Sequence, residues 1–235
     1  MSSRPLGLAI ESSFQQLSAT VPANIGISIC RPDRTFSLGR WSSGVAWSTI
    51  KVPLAIAALR HDRRLAQDLV VKAITESDNP ASEKLWSQLG NPADAARQVE
   101  AIIRESGDAS TMVESRRLRR GFTAFGQTQW TLDRQATFAA QLAAIPDGAA
   151  VIGLMHQIID VQQWGLATKG IAAKAGWGPG VHGGYLVRQF GIVPTQSGQW
   201  GVALAAEARV FETGVEVVNA LSDWLVSHLP ALARY

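Results

Sequence analysis

The chain reads as an α+β protein: one antiparallel sheet built from both chain ends and flanked by N- and C-terminal helices, with an all-helical lobe inserted between them. Three observations predict this. An alternating hairpin lies near the front (Ile25–Ile29 and Thr35–Leu38), helical periodicity fills the middle, and three strand-like stretches with a closing helix make up the tail. Strands at the two ends around a helical block favour a segregated α+β arrangement over an alternating α/β one.

Taken in order, Leu6, Ile10, Phe14 and Leu17 recur at helical spacing, which predicts an amphipathic helix over 6–17. Ile25-Gly26-Ile27-Ser28-Ile29 alternates as a strand, Arg31-Pro32-Asp33-Arg34 makes the turn, and Thr35–Leu38 returns as its partner. An apolar helical run follows Lys51. Further helices are predicted over 66–75, 80–89, 92–105 and, after an irregular gap, 132–145 and 148–161. Asn91-Pro92 opens one of them with an N-cap followed by proline. Strands over 170–175, 184–193 and 199–206 precede a helix over 211–229.

With 235 residues, 46% of them hydrophobic, the chain can bury a sizeable core as a single domain. Its sheet lobe is expected over 1–47 and 165–235, its helical lobe over 48–164. No apolar run approaches the roughly 18 residues of a membrane span, and the apolar patch of Leu6–Ile10 is too short for a secretory segment. The chain as it stands is expected in the cytoplasm, or exported if a leader has been removed. The lone Cys30 sits in the strand alternation as a packing residue. The four histidines lack metal-ligand spacing, and HExxH, CxxC, Walker and GxSxG words are absent, so no metal or cofactor is expected. Gly178-Pro179-Gly180-Val181-His182-Gly183 imitates a dinucleotide fingerprint but precedes a strand where that motif needs a helix, and reads as a hairpin loop.

Only five of the 22 basic residues are lysines: Lys72, Lys84 and Lys169 read as surface residues, Lys51 and Lys174 do not. In Trp47-Ser48-Thr49-Ile50-Lys51-Val52-Pro53, Ser48 and Lys51 are three apart at the start of an apolar helix, so hydroxyl and amine share a face. A helix beginning at about Ile50 puts Pro53 in its first turn, where its missing N–H is no loss. Ser48 then lies at the helix N-terminus, where free N–H groups and the dipole favour negative charge on oxygen. The plain alternative is a capping serine beside a solvated lysine. Two further words stand in order behind this one. Ser77-Asp78-Asn79 sits beside Pro80 between helices, and Lys174-Ala175-Gly176-Trp177 closes a late strand.

Ser48-x-x-Lys51, Ser77-Asp78-Asn79 and Lys174-x-Gly176 together resemble the penicillin-recognising serine acyl-enzymes, the class A β-lactamases and D-alanyl-D-alanine peptidases. The resemblance implies a β-lactamase/transpeptidase-like fold and a serine hydrolase acting through an acyl-Ser48 intermediate on a small or peptide-like amide or ester. Residue by residue it makes Ser48 the nucleophile, Lys51 its base, Ser77 a proton relay, Asn79 the holder of the substrate's amide and Lys174 a supply of positive charge. The oxyanion donors would be the backbone amides of Ser48 and Trp177, the latter just past Gly176. Asp78 caps a helix or braces the turn.

The pattern also departs from that family. Ala175 stands where active members carry a hydroxyl, with Arg188 or His182 as candidate replacement charge, each alternatively a solvated strand residue. The stretch between Ser48 and Ser77 is short. Between Ala109 and Leu132 the one carboxylate is Glu114, whose surroundings do not match the loop carrying the deacylating glutamate. Poor β-lactam hydrolysis is therefore expected, with peptidase-like or esterase-like turnover favoured. The rivals are a non-hydrolytic binding or sensing protein on the same fold and, lower, a nucleic-acid binder using Arg116-Arg117-Leu118-Arg119-Arg120. A net charge of +3 without interleaved aromatics argues against the latter.

Overall fold

The computed structural model describes residues 7–181, 183–195 and 198–234. Its front hairpin is β1 (Ala23–Cys30) and β2 (Thr35–Gly39), antiparallel with Ile27 opposite Leu38. The other edge of β1 pairs with the last strand, β7 (Gly198–Ala208), which pairs in turn with β6 (Tyr185–Thr195), and β6 with β5 (Ala172–Pro179). The sheet order is thus β2-β1-β7-β6-β5, antiparallel throughout, and both chain ends contribute to it.

Six of the eight residues of β1 are buried, which a strand achieves only with cover on both faces. On one face lie α1 (Leu8–Thr20) and α7 (Phe211–Leu232), whose Phe14, Val218 and Leu225 pack with Ile25, Ile27 and Leu204. On the other lies α5 (Leu132–Gln141), so close that a Cβ on Gly201 of β7 would sit 1.9 Å from the Ala136 carbonyl. In the inserted lobe α2 (Lys51–Val71) is central, with α3 (Asn79–Gln88), α4 (Pro92–Glu105) and α6 (Gly148–Met155) against it. No helix among the described residues is long and apolar enough to cross a membrane.

Several boundaries differ from expectation. α2 breaks at Asp62 (φ −154°, ψ 99°), whose carboxylate accepts from the Arg64 and Leu65 amides and so caps the second half. The first helix starts at Leu8 (Leu6 lies outside the described residues), α5 stops at Gln141 and α6 at Met155. Strand β5 runs through Trp177 to Pro179 instead of ending near Ala175, because Gly176 and Gly178 fit beneath a neighbouring turn. The irregular gap contains β4 (Gln129–Thr131), paired with β3 (Ser43–Val45) in a second sheet of three-residue strands too short to show a period. Cys30 is buried, and of the expected 178–183 hairpin loop Gly178 and Pro179 belong to β5, paired with Leu186 and Tyr185 of β6.

Candidate active site

Residues 47–50 form a 3-10 turn leading into α2, and Trp47 has left-handed backbone (φ 51°). The turn lies directly under β5. A Cβ on Gly176 would stand 2.7 Å from the Ser48 nitrogen, and one on Gly178 would stand 2.4 Å from the Trp47 ring. Only glycine permits that approach.

Behind the turn, Thr49 donates to the Ala46 carbonyl (2.6 Å) and accepts from Gln135 Nε2 (2.9 Å). Arg188, fully buried on β6, donates to Gln135 Oε1 (2.9 Å) and to the carbonyls of Gly44, Val45 and Trp130. Burial pulls its pKa down to about 9. Arg188 is therefore neither a solvated strand residue nor a groove charge. It ties β3, β4 and α5 to the sheet behind Ser48.

The second word ends α2. After a π-helical turn over 72–76, Ser77 adopts left-handed backbone (φ 56°, ψ 33°), which turns both its carbonyl and its hydroxyl toward Lys51. Asp78 then caps α3 by accepting from the Ala81 amide, and Asn79 opens that helix. Lys51 Nζ lies 2.5 Å from the Ser77 carbonyl, 2.8 Å from Asn79 Oδ1 and 3.2 Å from Ser77 Oγ. Lys174 reaches the same hydroxyl from β5 at 2.9 Å, and also donates to the Ala175 carbonyl (3.3 Å).

Both amines are out of water, at 1% exposure for Lys51 and none for Lys174. Burial, partly opposed by the Asp78 carboxylate, lowers the pKa of Lys51 to about 7. Complete burial, with Lys51 beside it, holds Lys174 well below the ordinary lysine value.

A groove of about 250 Å³ opens over this cluster, lined by Ser48, Ser77, Asn79, Phe122, Trp177 and Tyr185 among others. It lies between the helical lobe and the sheet edge. A larger cavity of about 970 Å³, between α1 and β2, contains none of these residues. Gly176 faces the Ser48 turn, whereas the methyl of Ala175 is buried in the apolar layer behind the sheet.

Glu114 is bound by Arg116 Nε and Nη2, which keep its carboxyl below the usual range, and it does not line the groove. His182 lies outside the described residues. No group of three or more potential metal ligands occurs among the described residues.

Within the arginine run, Arg117 pairs with Glu83. Arg119 stacks on Phe122 (4.6 Å) and Trp47 (5.5 Å) and donates to the Pro179 carbonyl (2.8 Å), strapping the loop to the end of β5. Nothing in the sequence distinguishes Arg119 from its neighbours.

The fold is that of the class A β-lactamases and PBP-like proteins. No family model and no curated protein matches the sequence, so the likeness is one of structure. Among solved structures the chain is similar to PBP-A, with a TM-score of 0.73 at 20% identity over 98% of this chain and 99% of that one. It is similar also to a β-lactamase from Streptosporangium roseum (TM-score 0.72, 15% identity, 95% and 99% covered). A β-lactamase from Sphaerobacter thermophilus matches at 0.69 with 18% identity, over 93% and 95%.

Proposed function

We propose that this chain is a serine hydrolase that transfers an acyl group to Ser48 from a small or peptide-like amide or ester and then to water. The observation that carries the reading is the convergence of Lys51 and Lys174 on one hydroxyl, Ser77 Oγ, in the groove that holds Ser48.

A neutral lysine has two N–H donors and one lone pair. The Ser77 carbonyl and Asn79 Oδ1, the two shorter contacts, take the two donors of a neutral Lys51. Its lone pair is then held only by the 3.2 Å contact to Ser77 Oγ, which must yield as the Ser48 proton arrives. In the proposed sequence Lys51 takes the Ser48 proton as Ser48 Oγ bonds to the substrate's carbonyl carbon. The amides of Ser48 and Trp177 hold the oxyanion, and Asn79 holds the substrate's amide. Ser77, accepting from Lys174, passes the proton to the leaving nitrogen or oxygen as its bond to carbon breaks. Water then cleaves the acyl-serine. Gly176 serves by letting the strand approach, and Ala175 by its backbone.

No charged side chain lines the groove among the described residues, and Glu114 is held by Arg116. That supports slow deacylation and poor β-lactam hydrolysis. The pairing of Arg117 with Glu83 and the packing of Arg119 speak against the arginine run as a nucleic-acid surface.

Mass spectrometry of native and Ser48→Ala protein after exposure to a fluorescent penicillin or an activated thioester tests the proposal. Product release, or a stable adduct on native protein alone, is expected. No adduct and no product from either probe would favour a non-hydrolytic binding protein.

A further inference from the structure

Along β5, successive side chains alternate between the two faces of the sheet. Lys174, Gly176 and Gly178 serve the Ser48 side, whereas Ala175 and Trp177 belong to the apolar layer under α7, and Tyr185, opposite Pro179, shares their face. Because β5 is the edge strand, the uncovered parts of Trp177 and Tyr185 still border the groove. In that layer the rings form a continuous cluster. Trp177 lies 6.0 Å from Trp164 and 5.5 Å from Phe211, which is 5.8 Å from Tyr185. Trp177 and Tyr185 are only partly buried, and both line the groove.

Beyond the Ser48 and Trp177 amides assigned to the oxyanion, the described residues of the same lining offer an anion no charged side chain. The Arg119 guanidinium beside it is taken up by the Phe122 and Trp47 rings and the Pro179 carbonyl. The two lysines are buried and spent on Ser77, Asn79 and Ala175. The methyl of Ala175 has no hydroxyl to give. The charge felt by the Tyr185 phenol is the Glu212 carboxylate in the first turn of α7, which has the same sign as an acidic substrate. A carboxylate entering here would lose hydration without a partner. A flat uncharged ring would bury apolar area and meet aromatic edges and faces.

We infer that the groove selects substrates bearing an uncharged aromatic group, aryl esters or anilides whose ring lies against Trp177 and Tyr185, and that it rejects their carboxylate-bearing counterparts. The inference names the substrate class of the acyl-Ser48 reading and rests on it. For an aryl ester, Ser48 Oγ bonds to the carbonyl carbon, the bond from that carbon to the aryl oxygen breaks, and the phenol leaves with the proton from Ser77.

Two measurements test it. In turnover, kcat/KM for 4-nitrophenyl butyrate should exceed that for 3-carboxy-4-nitrophenyl butyrate at least tenfold. An equal or reversed ratio overturns the inference. In binding, calorimetry on Ser48→Ala protein should show N-phenylbutanamide held at least fivefold tighter than 4-(butanoylamino)benzoate. Adding Trp177→Ala should erase that difference and Trp177→Phe should keep it, with thermal melts confirming that each variant is folded. Equal binding of the two anilides, or no binding of the neutral one, also overturns it. If neither ester is turned over while the anilide preference persists, the acyl-transfer reading alone falls.

Discussion

Lys51 and Lys174 come from different lobes, a helix start and a sheet edge, yet their amines lie 3.2 Å and 2.9 Å from the same oxygen, Ser77 Oγ. Two cations so placed and so buried cannot both keep their ordinary pKa, since each ammonium pays for lost water and repels the other. The pair is thus biased toward a state in which at least one nitrogen carries a lone pair, as a general base requires.

That bias sets the pH profile. Protonated Lys51 has no lone pair, so acylation of Ser48 should be slow at low pH, rise through about pH 7 and level off above it. The Asp78 carboxylate raises the Lys51 pKa, so Asp78→Asn should move the acid limb to lower pH while the amide oxygen keeps the helix cap. A limb unmoved in stopped-flow acylation would show that another group titrates. The same depressed pKa leaves the unfolded chain binding more protons between about pH 7 and 10.5, so the contribution of Lys51 to stability should rise with pH across that window.

Gly176→Ala should nearly abolish labelling of Ser48. The new methyl would stand 2.7 Å from the Ser48 nitrogen and 2.8 Å from the Ala46 carbonyl, both backbone atoms, so strand and turn must part. A displacement of about 1 Å at the reacting centre costs on the order of 100-fold in rate. Second-order labelling rates with an activated ester would measure it, and near-wild-type labelling would mean that the turn does not need this contact.

Glu114→Gln should leave deacylation within about twofold, because that carboxylate is held by Arg116 and the groove is lined by other residues. Single-turnover decay of the acyl-enzyme is the readout. A tenfold slowing would identify Glu114 as the base after all.

Arg188→Met should destabilise the fold by about 3–5 kcal/mol, since it strips the donor from three carbonyls and from Gln135 at once. Urea denaturation measures the loss. A change below about 1 kcal/mol would mean that the acceptors find other partners.

Much of this was legible in one sequence because the signals were local. Asn91-Pro92 and Ser77-Asp78-Asn79-Pro80 announce helix starts through capping chemistry, and α4 occupies the residues its pattern assigns, Pro92–Glu105. The alternation in β1 and the order of the three short words were equally plain. What stayed hidden depends on tertiary partners. Arg188 reads as a surface residue until the carbonyls of Gly44, Val45 and Trp130, brought from two distant strands, surround it. β5 stops early on paper because Gly176 and Gly178 look like a turn, and only the packed Trp47 turn reveals why a strand needs them. The aromatic cluster of Trp164, Trp177, Tyr185 and Phe211 joins four separate segments, which no spacing rule could connect.

Among the described non-glycine residues, only Trp47, Ser77 and Asp147 have positive φ, and two of the three adjoin the reacting groups. Each such residue costs roughly 1 kcal/mol that glycine would not. At 47 the buried ring outweighs that cost, but at the half-buried Ser77 selection for robustness alone would drift toward glycine and would thereby discard the hydroxyl on which both amines converge. Screens for thermostable variants should therefore recover Ser77→Gly as a hardier protein, and on the acyl-transfer reading an inert one.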